Sequence, residues 1–174
     1  MKTKIALVAL LAALVTLGFQ CINDNFLISV SLKGITGEFK INTGTGQFDD
    51  RVTVNPQDYV DYFDKDLSNA RIYDIQVSTR STGAAYSGNI NGKASVNGVD
   101  ILGYNGSFTY FNTPRSILND PNVVRFPGGV NALVNAVLNK QAVTLRGFGS
   151  ATPGPFPDGQ YVKIEIFGQV DAEP

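Results

Sequence analysis

The chain contains no histidine and no tryptophan, and only one cysteine (Cys21) and one methionine (Met1). Without histidine the commonest general base is missing, and every Ser-His-Asp or Cys-His arrangement is excluded. One cysteine rules out an intramolecular disulfide. Together with the missing histidine, it also prevents one chain from assembling the usual zinc, copper or haem ligand sets. No cofactor is expected, and a bound metal would have to be a hard, oxygen-seeking ion. Charge is also scarce. Lys, Arg, Asp and Glu make up 17% of the 174 residues, with 14 basic and 15 acidic side chains and a net charge of -1. Lys2 and Lys4 are the only charges in the first twenty residues, so the rest of the chain has 12 basic and 15 acidic groups, net -3. A mildly acidic surface gives no electrostatic reason to expect nucleic acid or an anionic bilayer surface as a partner.

Glycine is plentiful, at 18 residues, and Asn, Thr and Ser are frequent. This mix suits strands and turns better than exposed helices built on Glu and Lys. The length beyond the first twenty residues corresponds to a single domain with room for a core.

The N-terminus is organised differently from the rest. MKTK is positive, IALVALLAALVTLGF is an apolar run, and polar residues follow from Asn23. The apolar run is short for a membrane span, and the plan is that of a secretory signal segment. Cys21 ends it, preceded by Gly18, Phe19 and Gln20. A single cysteine at this point resembles the bacterial lipoprotein signal, although Phe19 and Gln20 depart from the small residues usual there. The resemblance implies residues 1–20 as signal peptide, Cys21 as the lipid attachment point, and anchorage of the exported chain to a membrane of the cell envelope. An ordinary cleaved signal with an incidental cysteine, or an uncleaved anchor, are the competing readings. Residues 21–174 resemble, in style only, small envelope lipoproteins of unknown function.

Strict alternation of apolar and polar residues recurs along this domain, as expected of strands with one buried face. It is seen in 26–32 (Phe26, Ile28, Val30, Leu32), in 37–41 (Phe39, Ile41) and in 51–54 (Val52, Val54). It returns in 71–80, 87–98, 104–110 and 142–149, and in 160–170 with Val162, Ile164, Ile166 and Val170 inward. Asn55 followed by Pro56 reads as a helix start, predicting a helix over 56 to about 67. Val130, Leu133, Val134, Val137 and Leu138 fall at helical spacing and predict a second helix over 130–138. Residues 112–129, rich in proline and glycine, read as a long connection. The expected fold is therefore mainly β: an antiparallel β-sandwich or open barrel of about eight strands with two short helices.

Few residues point to chemistry. Asp58, Asp61, Asp64 and Asp66 crowd one stretch, but they lack the spacing of a calcium loop, and a solvated helix face explains them. TGTG at 43–46 and PGG at 127–129 lack the lysine and hydroxyl of a phosphate loop and read as turns. Glu38 and Glu165 sit on outward strand positions, and Glu173 is beside the C-terminus. The expected function is that of a non-catalytic binding or interaction module. Its contact surface would be the stiff loop 151–159, with Pro153, Pro155, Phe156, Pro157 and Asp158 facing an envelope protein or glycan. One alternative is a carrier of a hydrophobic ligand, with Val130, Leu133, Val134, Val137 and Leu138 as its lid, although such a helix face also simply closes a core. Another is a carboxylate-based hydrolase, which needs two carboxyl groups facing one cleft. Tyr161 and Phe167, flanking Lys163 and Glu165, are candidates for a docking strip on an outer face.

Overall fold

The computed structural model describes residues 28–61, 64–82, 87–109, 113–155 and 158–173. Cys21, Phe26, Phe63, Tyr110, Phe156 and Pro157 lie outside them, as do the side chains of Ile28, Val30 and Phe108. Among the described residues nine strands and two helices follow one another. In order they are β1 (Ile28–Lys40), β2 (Gln47–Val54), α1 (Pro56–Tyr59), β3 (Leu67–Ser81), β4 (Ser87–Val96) and β5 (Val99–Thr109). Then come β6 (Arg115–Ser116), β7 (Val123–Arg125), α2 (Pro127–Leu138), β8 (Val143–Thr152) and β9 (Gln160–Ala172). The strands form two sheets, one ordered β1, β9, β3, β6 and the other β2, β8, β4, β5, β7. Every pairing is antiparallel. Neither sheet closes on itself, so the fold is a sandwich and not a barrel.

The alternation in sequence becomes the two faces of each sheet. β9, flanked by β1 and β3, buries Val162, Ile164, Ile166 and Val170, while Tyr161, Lys163, Glu165 and Phe167 lie half-buried on the outer face. Across the core the other sheet contributes Phe48, Val143, Leu145, Ala94, Val96 and Leu102. β1 joins the two predicted strands 26–32 and 37–41 into one element, with a register irregularity between Leu32 and Ile35 absorbing the break. β4 and β5 are linked by Asn97–Gly98, with φ of 49° and 84°. Two central residues of positive φ suit the right-handed twist of the flanking strands, and Asn-Gly adopts them at low steric cost.

The helix starting at Asn55 is shorter than predicted. α1 is a single turn, and the expected extension to 67 does not form, because Leu67 instead begins β3 and pairs with Ala172 of β9. Its main service is to bury Tyr59, whose hydroxyl donates to the carbonyl of Gln141 at 2.5 Å. Burial raises the Tyr59 hydroxyl above its ordinary 10.0. A folded value above the unfolded one gives a contribution that is complete below pH 10 and lost as pH rises beyond it. Unfolding in urea should therefore show a steeper loss of stability from pH 10 to 11 in the native chain than in Tyr59→Phe. At neutral pH that variant should be about 1 kcal/mol less stable, since the Gln141 carbonyl loses its donor. Equal slopes would mean that Tyr59 is not held in this environment.

α2 begins at Pro127, so Pro127, Gly128 and Gly129 are its first turn and not a free-standing turn ahead of it. Leu133, Ala136 and Val137 are fully buried, and Val130, Val134 and Leu138 are half-buried. The helix packs on β5 and β3 at the pole where β1, β3 and β5 begin. β6 and β7 are short strands within the segment expected to be a plain connection, and they extend the two sheets at β3 and β5.

Candidate functional site

At the pole away from α2 the sheets separate around a cleft of about 330 Å³. Its walls come from both layers. Phe39, Val77, Val162 and Ile164 line it from one sheet, and Phe48, Ile90 and Leu102 from the other. Two glycines, Gly92 and Gly147, make room for the rings on its floor. A Cβ on Gly147 would lie 2.6 Å from Cδ2 of Phe39, and one on Gly92 would lie 2.8 Å from Cζ of Phe48. The aromatic rings therefore rest directly on bare backbone.

The rim is polar. Tyr104 donates its hydroxyl proton to the carbonyl of Ser107 at 2.7 Å. Burial, with the Asp120 carboxylate adding to it, raises the Tyr104 hydroxyl above its ordinary value, so at neutral pH it is a neutral donor or acceptor. Asp120 accepts from the backbone N–H of Asn122 at 2.8 Å and from its amide at 3.1 Å. Arg115 and Ser116 of β6 complete the rim, and the Ser116 hydroxyl donates to Asp74 at 2.6 Å. Among the described residues no buried side-chain nitrogen or oxygen lacks a partner. The arrangement can hold an apolar group in the cleft and hydrogen-bond a polar group at its mouth.

The sequence-predicted residues fall elsewhere. Val130, Leu133, Val134, Val137 and Leu138, the expected lid, do not line this cleft; Leu133 and Val137 belong to the core, and Val130 and Leu138 pack against it. Of the loop 151–159, Pro153 and Pro155 are exposed, and the exposed Asp158 pairs with Lys40 at 3.4 Å. The N–H of Gly159, followed by Lys40, holds the Asp158 carboxyl below its usual range. Of the four crowded aspartates, Asp58 accepts from the backbone N–H of its own helix cap Asn55 at 3.2 Å. Residues 43–46 form the β1–β2 turn, as read from their composition, with the Asn42 side chain accepting from Gly44 and Thr45. Among the described residues no cluster of three or more His, Cys, Asp or Glu could hold a metal ion.

Glu38 pairs with Arg80, whose guanidinium also lies 4.3 Å above the Tyr161 ring. Glu165 pairs with Lys163 at 2.8 Å. The outer face of this sheet, Tyr161 included, is thus knitted by its own ion pairs.

Sequence reasoning missed the cleft because its walls alternate with outward residues and, with its floor and rim, come from eight different strands. The only legible trace was glycine at inward positions of strands, Gly92 and Gly147, where a side chain would ordinarily fill the core.

Fold and site together define a two-sheet antiparallel sandwich, closed by a helix at one pole and hollowed by an apolar cleft at the other. No family model matches the chain, and neither the curated proteins nor the solved structures compared with it show a match. Among the described residues no helix is long and apolar enough to cross a membrane.

Proposed function

We propose that this is an exported, lipid-anchored protein of a bacterial envelope that binds a small hydrophobic ligand without catalysis. The observation that carries the binding reading is the cleft of about 330 Å³ with apolar walls and a polar rim. Ligand sites typically enclose ~300–1,000 Å³, so this one suits a single ring system or a short acyl chain and not a whole phospholipid. Among the described residues lining it there is one carboxylate, Asp120, and the rim also carries Arg115. That supports recognition of a polar end group over acid–base chemistry, which would need a second positioned carboxyl.

The anchor reading rests on Cys21 after the apolar run of the signal segment. β1 starts at the α2 pole, and at ~3.3 Å per residue it carries Phe39 roughly 35 Å from Ile28. A chain tethered at Cys21 would therefore present its cleft away from the membrane, toward ligands in solution or on a facing surface.

Native mass spectrometry of the protein purified gently from its own host should show an added mass that is lost on denaturation. Ile90→Trp should abolish that mass by filling the cleft while leaving the fold intact. A bare mass in the wild type, or the same added mass in the variant, would overturn the reading. For the anchor, Cys21→Ser should move the protein from the membrane fraction to the soluble one. Unchanged fractionation would show that lipid on Cys21 is not what holds it.

A further inference from the structure

The outer face of the five-stranded sheet presents a field of uncharged hydrogen-bonding side chains. Strand register sets Gln47, Ser150, Asn91 and Asn105 side by side in one row across β2, β8, β4 and β5. A second row places Thr152, Asn89 and Ser107 alongside it. All but the half-buried Ser150 are exposed. With strands ~4.8 Å apart, the four-residue row spans roughly 14 Å. The Ser107 hydroxyl donates to Asn89 at 2.9 Å. The side chains of Gln47, Asn91 and Asn105 have no hydrogen-bond partner among the described residues.

The next row bounds the field with Asp49, Phe148 and Lys93, and its charges are already matched. Arg146 holds Asp49 through two 2.7 Å hydrogen bonds and lies 4.6 Å over Phe148, and Lys93 pairs with Asp100 at 2.6 Å. The Arg146 guanidinium keeps the Asp49 carboxyl below its usual range. Next to Gln47 and Phe148, a groove of about 660 Å³ opens between the β1–β2 turn and β8, lined also by Asn42, Thr43 and Thr45, by the Lys40–Asp158 ion pair and by Asp50.

We propose that this face and its groove form a second site, distinct from the cleft, that takes a neutral polysaccharide. A protein interface would centre on aromatic or apolar side chains, whereas here amides and hydroxyls occupy the centre. An exposed amide offers donor and acceptor together, which matches adjacent sugar hydroxyls. With Asp49, Lys93 and Asp158 paired internally and the Asp50 carboxylate at the groove left over, the site has no positive excess to attract an acidic chain, and an uncharged ligand is the complementary one. Phe148, at the boundary of field and groove, supplies an apolar edge for the C–H face of a sugar ring.

The test is native affinity electrophoresis of the full chain through gels containing dextran, mannan, xylan or a soluble β-glucan, with alginate as the acidic comparison. At least one neutral polymer should retard the protein. Asn91→Ala combined with Asn105→Ala, and separately Phe148→Ala, should weaken retardation tenfold or more. Gln47→Ala, at an exposed edge position, gives the same readout should the other variants fold poorly. Tyr161→Ala on the opposite sheet and Ile90→Trp in the cleft should leave retardation unchanged. Retardation by none of the neutral polymers, by alginate alone, or to an equal extent in the Asn91, Asn105 and Phe148 variants would overturn the proposal.

Discussion

Replacing Gly129 by Ala is expected to destabilise the protein by about 3 kcal/mol or more, the upper end of what overpacking does. A Cβ at this position would lie 2.1 Å from the carbonyl oxygen of Asp100 and 2.5 Å from Cα of Ile101. Both are backbone atoms of β5, which is held between β4 and β7 and cannot rotate aside as a side chain could. The first turn of α2 would have to lift, drawing Leu133, Ala136 and Val137 from the core. The gain in helix propensity from Gly to Ala, ~1 kcal/mol, is too small to compensate. The adjacent Gly128 provides the control. Its Cβ would meet nothing closer than Val99 Cγ1 at 3.7 Å, so Gly128→Ala should be neutral or stabilising by a few tenths of a kcal/mol. Urea unfolding should show a lower midpoint at constant slope for Gly129→Ala alone, with a fall in Tm of roughly 6–12 °C. Equal midpoints for the two variants would mean that α2 does not rest on β5 in this way.

The second large effect is at Phe39. Its ring is 1% exposed and wedged between two glycines, one on its own strand and one on β8. A Cβ on Gly37 would come within 2.7 Å of Cζ, and one on Gly147 within 2.6 Å of Cδ2. Phe39→Ala empties this slot and should cost about 3–5 kcal/mol, the range for removing a buried aromatic ring. Because Phe39 also lines the cleft, the space it leaves adds to the ligand site. The variant, though less stable, should bind a bulky neutral probe such as N-phenylnaphthylamine more tightly than the native chain, as read by fluorescence. Loss of stability with no gain in probe binding would show that the slot is not continuous with the cleft. The slot and cleft thus link the packing of the sandwich to its proposed use.

Much of the fold was legible, and for a physical reason. A strand with one face in the core must alternate, so Val162, Ile164, Ile166 and Val170 announced both β9 and its buried side. The Asn55–Pro56 helix start was equally plain because capping is a local matter. The Asn97–Gly98 hairpin carried a clear signal that was passed over within a longer strand reading. The errors arose where distant segments compete. Leu67 continues a helical pattern in sequence, yet pairing with Ala172, more than a hundred residues on, draws it into a strand. The stretches 26–32 and 37–41 read as separate strands, but β9 runs past the residues between them and holds β1 together.

The candidate site was scarcely legible. Local pattern marks which residues turn inward, but not which of them meet. The apolar face of α2 was read correctly as a face, yet what it would cover depended on the pole of the sandwich where it docks. The cleft arises because Phe39 and Gly147, and Phe48 and Gly92, lie opposite each other across long sequence separations. The polar field likewise exists only through register, which sets Gln47, Ser150, Asn91 and Asn105 abreast.

By itself the sequence determined the fold class, the positions of most of the long strands and the residue types from which any chemistry could be built, since composition and the two-residue period act locally. Only the tertiary structure decided which pole is closed, where the sheets part and which polar residues share a face, because each of these is set by contacts between strands far apart in the chain.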